Sequence, residues 1–385
     1  MPSSRRWVVL AAGTFVQTSQ AAMYAGLAVL APVLRDRYDL TLTEIGVLLG
    51  GSSVGALLTL LPWGLAADRV GERLTATVGL VAAAAGLSAA AYAGEFVTLL
   101  LLFFAASAFG ASTNTATGRA ITSWFPREGR GFALGIRQTA IPIGGFTAAL
   151  GLPPVVDAWG LRAALLALAS FSLLAAVTAA ALLAEGPIRS LEDEADLLRH
   201  PLRDRRIWRV SLGSALLAVT QVAVAGFVVL FLESQRDFSH AEAGAVLAGM
   251  NVIAAAGRLG SGRLSDRVGS RIGLMRGVSL AAAVTVGLAT ALLDAPSGLF
   301  LPALILGGGL AMSWNGLAVA ATVEAAGARK SGAALGFQQT LIQVGIVATP
   351  LVFAPFVAAT SWRAGFGVAA AVPIAAVLVL RPLGR

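Results

Sequence analysis

Of the 385 residues, 57% are hydrophobic and only 12% are charged, whereas a soluble domain carries about 25% charged residues. That balance excludes a water-soluble globular fold, and the net charge of +8 does not signal nucleic-acid binding, because such binders gather their cations on one solvated face and here most lie in short gaps between apolar runs. Cysteine is absent, so neither a disulfide framework nor a thiolate metal site can be proposed.

The first apolar run, Trp7 to Leu34, follows Arg5 and Arg6 and outlasts the roughly 7 to 15 apolar residues of a signal peptide. A helical crossing needs about 20 apolar residues. Eleven more runs satisfy this, approximately Glu44 to Ala66, Leu74 to Ala93, Phe96 to Trp124, Gly131 to Val156, Leu161 to Ala184, Ile207 to Leu232, Glu242 to Leu264, Ile272 to Leu293, Gly298 to Ala325, Ser331 to Val357 and Arg363 to Arg381. The fold expected is an all-α membrane protein of twelve segments. It divides into an N-terminal bundle (1–184), a linker (185–206) and a C-terminal bundle (207–385). The linker mixes acidic and basic runs that need no role beyond solvation.

Thr41-x-x-Glu44 and Ser239-x-x-Glu242 have the spacing of a capping box, in which hydroxyl and carboxylate each satisfy an amide at a helix start. Trp7, Trp124, Trp159, Trp208 and Trp362 fall at segment ends, where an amphipathic ring suits the headgroup layer. Placing the N-terminus inside puts twenty of the 28 Lys and Arg residues in cytoplasmic segments and five in the opposite loops. Both termini are therefore expected in the cytoplasm of a multi-pass protein of the inner membrane.

The chain is duplicated. Gly64 to Arg73, GLAADRVGER, falls on Gly262 to Arg271, GRLSDRVGSR. Gly131 to Gly144, GFALGIRQTAIPIG, falls on Gly332 to Gly345, GAALGFQQTLIQVG, so that Arg137 faces Gln338, and Asn114 likewise faces Asn315. Polar side chains are distributed unevenly among the segments: Gln17, Gln20 and Tyr24 in the first, Asn114 in the fourth, Gln221 in the seventh, Asn251 in the eighth, Trp314 and Asn315 in the tenth. Segments three, six, nine and twelve are nearly all small or aliphatic through their centres.

Three arginines, Arg119, Arg137 and Arg258, lie seven or eight residues inside their segments, roughly 12 Å at 1.5 Å per residue. A guanidinium does not discharge itself by losing its proton, and an embedded cation faces a cavity or a partner. No Asp or Glu stands near any segment midpoint. Each arginine alternatively closes a cytoplasmic gate by bonding helix-end carbonyls or Glu324.

The repeated G-x-x-x-D-R-x-G-x-R loop and the run WFPREGRGFALGI from Trp124 to Ile136 resemble the major facilitator superfamily, twelve-helix secondary transporters, over essentially the whole chain. The resemblance implies two pseudo-symmetric six-helix bundles, with segments one, four, seven and ten lining a central cavity. It further implies that the loop residues Asp68, Arg69, Arg73, Asp266, Arg267 and Arg271, with Arg119, form a gating latch. Segments five and eight pack together in members of that family, so Arg137 and Arg258 are expected to share an anion. Arg258 is placed similarly to the substrate arginine of oxalate and monocarboxylate transporters, whereas the segment-eleven lysine of the oxalate type has no counterpart, Gln338 and Gln343 standing there instead.

The substrate expected is thus a small organic anion, a carboxylate, held by Arg258 and Arg137, with Tyr24, Gln20, Gln17, Asn114, Asn251, Asn315, Gln221 and Gln338 selecting its shape. A proton-coupled exporter of lipophilic compounds and a carrier of nitrate, nitrite or cyanate are the alternatives. Facilitated diffusion, exchange with a counter-anion and proton symport all stay open, and His200 and His240 sit in loops, away from any midplane relay. No cofactor, metal ligand or catalytic residue is proposed, and a monomer is expected. Gly51-Ser52-Ser53-Val54-Gly55 matches the hydrolase pattern G-x-S-x-G, but that motif needs a strand-to-helix turn and a histidine, so an enzyme is not expected.

Overall fold

The computed structural model describes residues 4–125, 127–184, 186, 204–326 and 331–383. His200, Lys330, the Asp266 side chain and most of the 185–206 linker lie outside them. Described residues form helices and turns, with no strand among them. Two compact units result, Met1–Ser190 and Leu191–Arg385.

The first unit holds α1 (Ser4–Val29), α2 (Ala31–Tyr38), α3 (Leu42–Val70), α4 (Glu72–Ala90), α5 (Phe96–Gly110), α6 (Ser112–Trp124), α7 (Arg127–Gln138) and α8 (Ala140–Leu182). The second holds α9 (Arg205–Ala225), α10 (Val228–Arg236), α11 (His240–Val268), α12 (Arg271–Ala291), α13 (Ser297–Ala311), α14 (Asn315–Ala326), α15 (Ser331–Ala359) and α16 (Trp362–Leu380). Ten stretches among the described residues are long and apolar enough to cross a membrane. One of these runs through α8 and is two limbs joined at Gly160, whose φ of 76° breaks the helical path. Helix α1 is long enough but falls outside the ten, because Gln17, Gln20 and several hydroxyls dilute its apolar character. Taking the limbs of α8 separately and adding α1 recovers the twelve segments read from the sequence.

Both units build their turns with the same local chemistry. Asp39 (φ 51°) and Asp237 (φ 55°) take the left-handed conformation that ends α2 and α10, a conformation short polar side chains tolerate. Thr41 and Ser239 then open α3 and α11 with complete capping boxes. The Thr41 amide donates to Glu44 Oε2 at 2.8 Å and the Ser239 amide to Glu242 Oε2 at 2.9 Å. The repeated loops turn on Gly71 (φ 84°) and Gly269 (φ 68°), where a side chain would be strained.

Packing repeats as well. A β-carbon on Gly144 would lie 2.6 Å from the Thr18 carbonyl oxygen, and one on Gly345 would lie 2.8 Å from that of Ala215. Glycine therefore lets α8 approach α1, and α15 approach α9, backbone to backbone. The first core joins Val9, Val16, Leu80, Ala116, Ala120 and Ala175. Its counterpart joins Val210, Leu217, Met275, Trp314, Leu317 and Ile342. Trp314, only 2% exposed, is a packing residue of that second core. Segments four and ten are each interrupted, at Ala111 and at Met312 to Trp314, in matching places of the duplication.

Candidate functional site

In the first unit, one three-helix junction gathers three polar residues around Arg137. The Gly144 crossing brings α1 beside α8, which sets Gln17 against the end of α7. Asn114 and Thr117, three residues apart on α6, face the same way. Arg137 is 7% exposed. Its Nε donates to Thr117 Oγ1 at 2.9 Å, and its Nη2 donates to Gln17 Oε1 at 3.0 Å, to the Asn114 carbonyl oxygen at 2.9 Å and to Asn114 Oδ1. All of these acceptors are neutral. No carboxylate pairs with Arg137 among the described residues. Further along α1, the Tyr24 hydroxyl shares a 2.8 Å hydrogen bond with Ser107 Oγ on α5. Gln20 is buried with its Nε2 unpartnered among the described residues.

The matching junction of the second unit is neutral. Gln338 Nε2 donates to Ser214 Oγ at 3.0 Å and to the Ala318 carbonyl oxygen at 3.2 Å. Ser214 precedes Ala215 at the glycine crossing as Gln17 precedes Thr18, and Ala318 takes the place of Thr117. Asn315 Nδ2 contacts Gln221 Oε1 and the Met312 carbonyl oxygen, both at 3.3 Å. Asn251 is buried and donates to the Leu247 carbonyl oxygen of its own helix at 2.9 Å.

Arg258 has a different setting from Arg137. It is 5% exposed and its Nε donates to the Met312 carbonyl oxygen at 3.0 Å. That carbonyl sits where segment ten breaks, and a helix end leaves carbonyls without an intrahelical donor. In the first unit, Thr59 Oγ1 and Trp63 Nε1 of α3 both donate to the Ala108 carbonyl oxygen, at 2.8 and 2.7 Å, close to the matching break.

Arg119 separates from the other two arginines. Its side chain is 43% exposed, its Nη1 pairs with Asp68, and its Nε meets Glu72 Oε1 at 3.0 Å. Equal depth along a helix suggested that all three cations lack carboxylates; Arg119 has two, because the end of α3 and the start of α4 lie against α6. Of the latch residues Asp68, Arg69, Arg73 and Arg119, it is Arg119 that pairs with Asp68 among the described residues. In the second unit the signs are exchanged: Arg271 Nε meets Glu324 Oε1 at 2.9 Å, and Arg271 Nη1 contacts Ser265 Oγ. Sequence reasoning missed Glu72, although its place inside the repeated loop was a signal. It also missed Thr117, which shares a helix face with Asn114. Ser53, in the hydrolase-like pattern, lies within α3 and donates to the Leu49 carbonyl oxygen at 3.0 Å.

Known proteins bear on this arrangement. The Major Facilitator Superfamily description matches residues 11–350. An uncharacterized MFS-type transporter of Mycobacterium tuberculosis is 32% identical over 374 residues, covering 97% of this chain and 84% of the relative, in each of two strains. A hexuronate transporter of Bacillus subtilis is 26% identical over 137 residues, 35% of this chain and 32% of that protein. Among solved structures, a bacterial homolog of the human lysosomal transporter Spinster superposes with a TM-score of 0.76 at 17% identity, over 99% of this chain and 96% of the other. The nucleoside transporter NupG gives 0.76 at 15% identity, over 98% and 100%.

Proposed function

Because the chain belongs to the major facilitator superfamily, whose members move small molecules across membranes by alternating access, we propose that its cargo is a small organic anion bearing a carboxylate. The observation that carries this reading is the Arg137 guanidinium, nearly buried and, among the described residues, hydrogen-bonded to neutral oxygens alone. Holding a charge in such surroundings is costly, and neutral dipoles offset the cost less completely than an opposite charge does. Packing does not demand it, since Gln338 fills the corresponding junction with a neutral amide. An anion that arrives and leaves supplies the missing charge during part of the cycle.

Gln17 and Asn114 are the nearest selecting groups, with Tyr24 and Gln20 one to two turns further along α1. In the second unit, Arg258, Asn315, Gln221 and Asn251 are the candidates, while Gln338 serves packing first. The hexuronate transporter adds modest support, since a hexuronate is itself a carboxylate and the similarity covers about a third of each chain. We take Arg119 with Asp68 and Glu72, and Arg271 with Glu324, as ion pairs that gate the cycle, and place both termini in the cytoplasm on the arginine excess.

Counterflow into proteoliposomes with a panel of labelled carboxylates, nitrate and lipophilic cations tests the reading. Exchange confined to carboxylates is expected. Exchange of lipophilic cations driven by a pH gradient would replace it with a proton-coupled exporter, and exchange of nitrate alone with an inorganic-anion carrier.

A further inference from the structure

Resting on that reading, we infer that the carboxylate is held end-on by Nη1 of Arg137, flanked by the amide nitrogens of Gln17 and Asn114, and that Gly118 is the specificity-determining residue that keeps the position open. A guanidinium usually grips a carboxylate with a fork of two parallel N–H groups. Here the Nε and Nη2 groups are already committed to Thr117, Gln17 and Asn114. Nη1 alone has no hydrogen bond among the described residues, and it carries two donors.

The same bonds fix the two neighbouring amides. An arginine donates only, so Gln17 and Asn114 must turn their oxygens towards Nη2, as Oε1 and Oδ1 do. Their NH2 groups therefore do not face Nη2, and neither has a hydrogen bond among the described residues. Each nitrogen shares a carbon with an oxygen touching Nη2, so both unspent amide donors stay close to the cation. That donor set suits a single carboxylate head: one oxygen on Nη1 and the other on the amides.

Gly118, one residue after Thr117 on α6, determines the room available. A β-carbon at position 118 would stand 3.7 Å from Nη1 and 4.0 Å from Cζ. At that separation a methyl group fits without a clash, yet it covers one side of the nitrogen and takes space that an anion oxygen needs. Alanine is also the better helix former, so Gly118→Ala leaves folding intact or improved.

The test measures the half-saturation concentration for carboxylate counterflow, with melting in detergent followed in parallel, for wild type, Gly118→Ala, Gly118→Val and Asn114→Asp. Gly118→Ala is expected to raise the half-saturation concentration several-fold with an unchanged melting temperature, and Gly118→Val to raise it by about tenfold or more, the scale of losing one hydrogen bond to a charged group. Asn114→Asp is expected to abolish carboxylate exchange in a protein that melts no lower than wild type, because the new acid neutralises the guanidinium internally. If wild type exchanges carboxylates and Gly118→Ala keeps its half-saturation concentration within twofold, the end-on site is wrong while the anion reading stands. Should Gly118→Val fail to fold, Gly118→Ala decides the matter. Wild type that exchanges no carboxylate overturns the functional reading itself.

Discussion

The two units solve the same packing problems with different charges. At the junction of the first, fifth and fourth segments, Arg137 meets Gln17, Asn114 and Thr117. At the corresponding junction of the second unit, Gln338 meets Ser214 and Ala318. Near the helix breaks the asymmetry reverses: Arg258 bonds the Met312 carbonyl, whereas uncharged Thr59 and Trp63 bond that of Ala108. At the first of these places the second unit shows that a neutral group suffices for the architecture. A cation at the other member of the pair therefore calls for a reason beyond packing. Duplication thus serves as an internal control that no single bundle could provide.

The contrast can be broken most forcefully by moving the charge. Gln338→Arg would bury a cation where Ser214 and a single backbone carbonyl are the partners at hand, and an uncompensated buried charge costs about 3–5 kcal/mol. A markedly lower melting temperature in detergent and poor recovery are expected. A variant as stable as wild type would mean that the junction tolerates charge freely, and the special status of Arg137 would vanish. Next in size is Thr117→Val, which removes the acceptor of Arg137 Nε and leaves a buried donor unsatisfied at a cost of about 1–3 kcal/mol. Thr117→Ser, keeping the hydroxyl, should stay near wild-type stability; equal losses from both would assign the effect to shape rather than to the hydrogen bond.

The smallest effect is expected at Arg119. Its side chain and that of Asp68 are 43% and 44% exposed, and an ion pair open to solvent contributes under about 1 kcal/mol. Arg119→Gln should melt close to wild type while changing the rate of turnover more than the half-saturation concentration. A large rise in half-saturation with an unchanged rate would move Arg119 from the latch into the binding site.

Much of the scaffold was legible in the residues. Capping boxes at Thr41 and Ser239, the glycine turns of the repeated loop and the break between segments five and six were readable because each depends on neighbours within a few positions. The candidate site was legible only in part. Depth along a helix identified three arginines but could not distinguish Arg119 from Arg137, since what separates them is whether acids from other helices reach them. Gly118 and Thr117 escaped notice for the same reason: a small residue and a hydroxyl on α6 gain meaning only when Arg137 of α7 is laid against them. Trp314, near a segment midpoint in the sequence, proved to be core: it packs in the second unit's apolar cluster, and its buried indole N–H has no hydrogen-bond partner among the described residues.

Comparing the exchange of one carboxylate with that of its uncharged amide, in wild type and in Arg137→Gln, tests the central claim most directly. Gln338 shows that glutamine packs at such a junction, so the variant is expected to fold, to lose about 10- to 100-fold in apparent affinity for the carboxylate, and to lose the preference for carboxylate over amide. Equal handling of both compounds by wild type, or a preference that survives in Arg137→Gln, would contradict it.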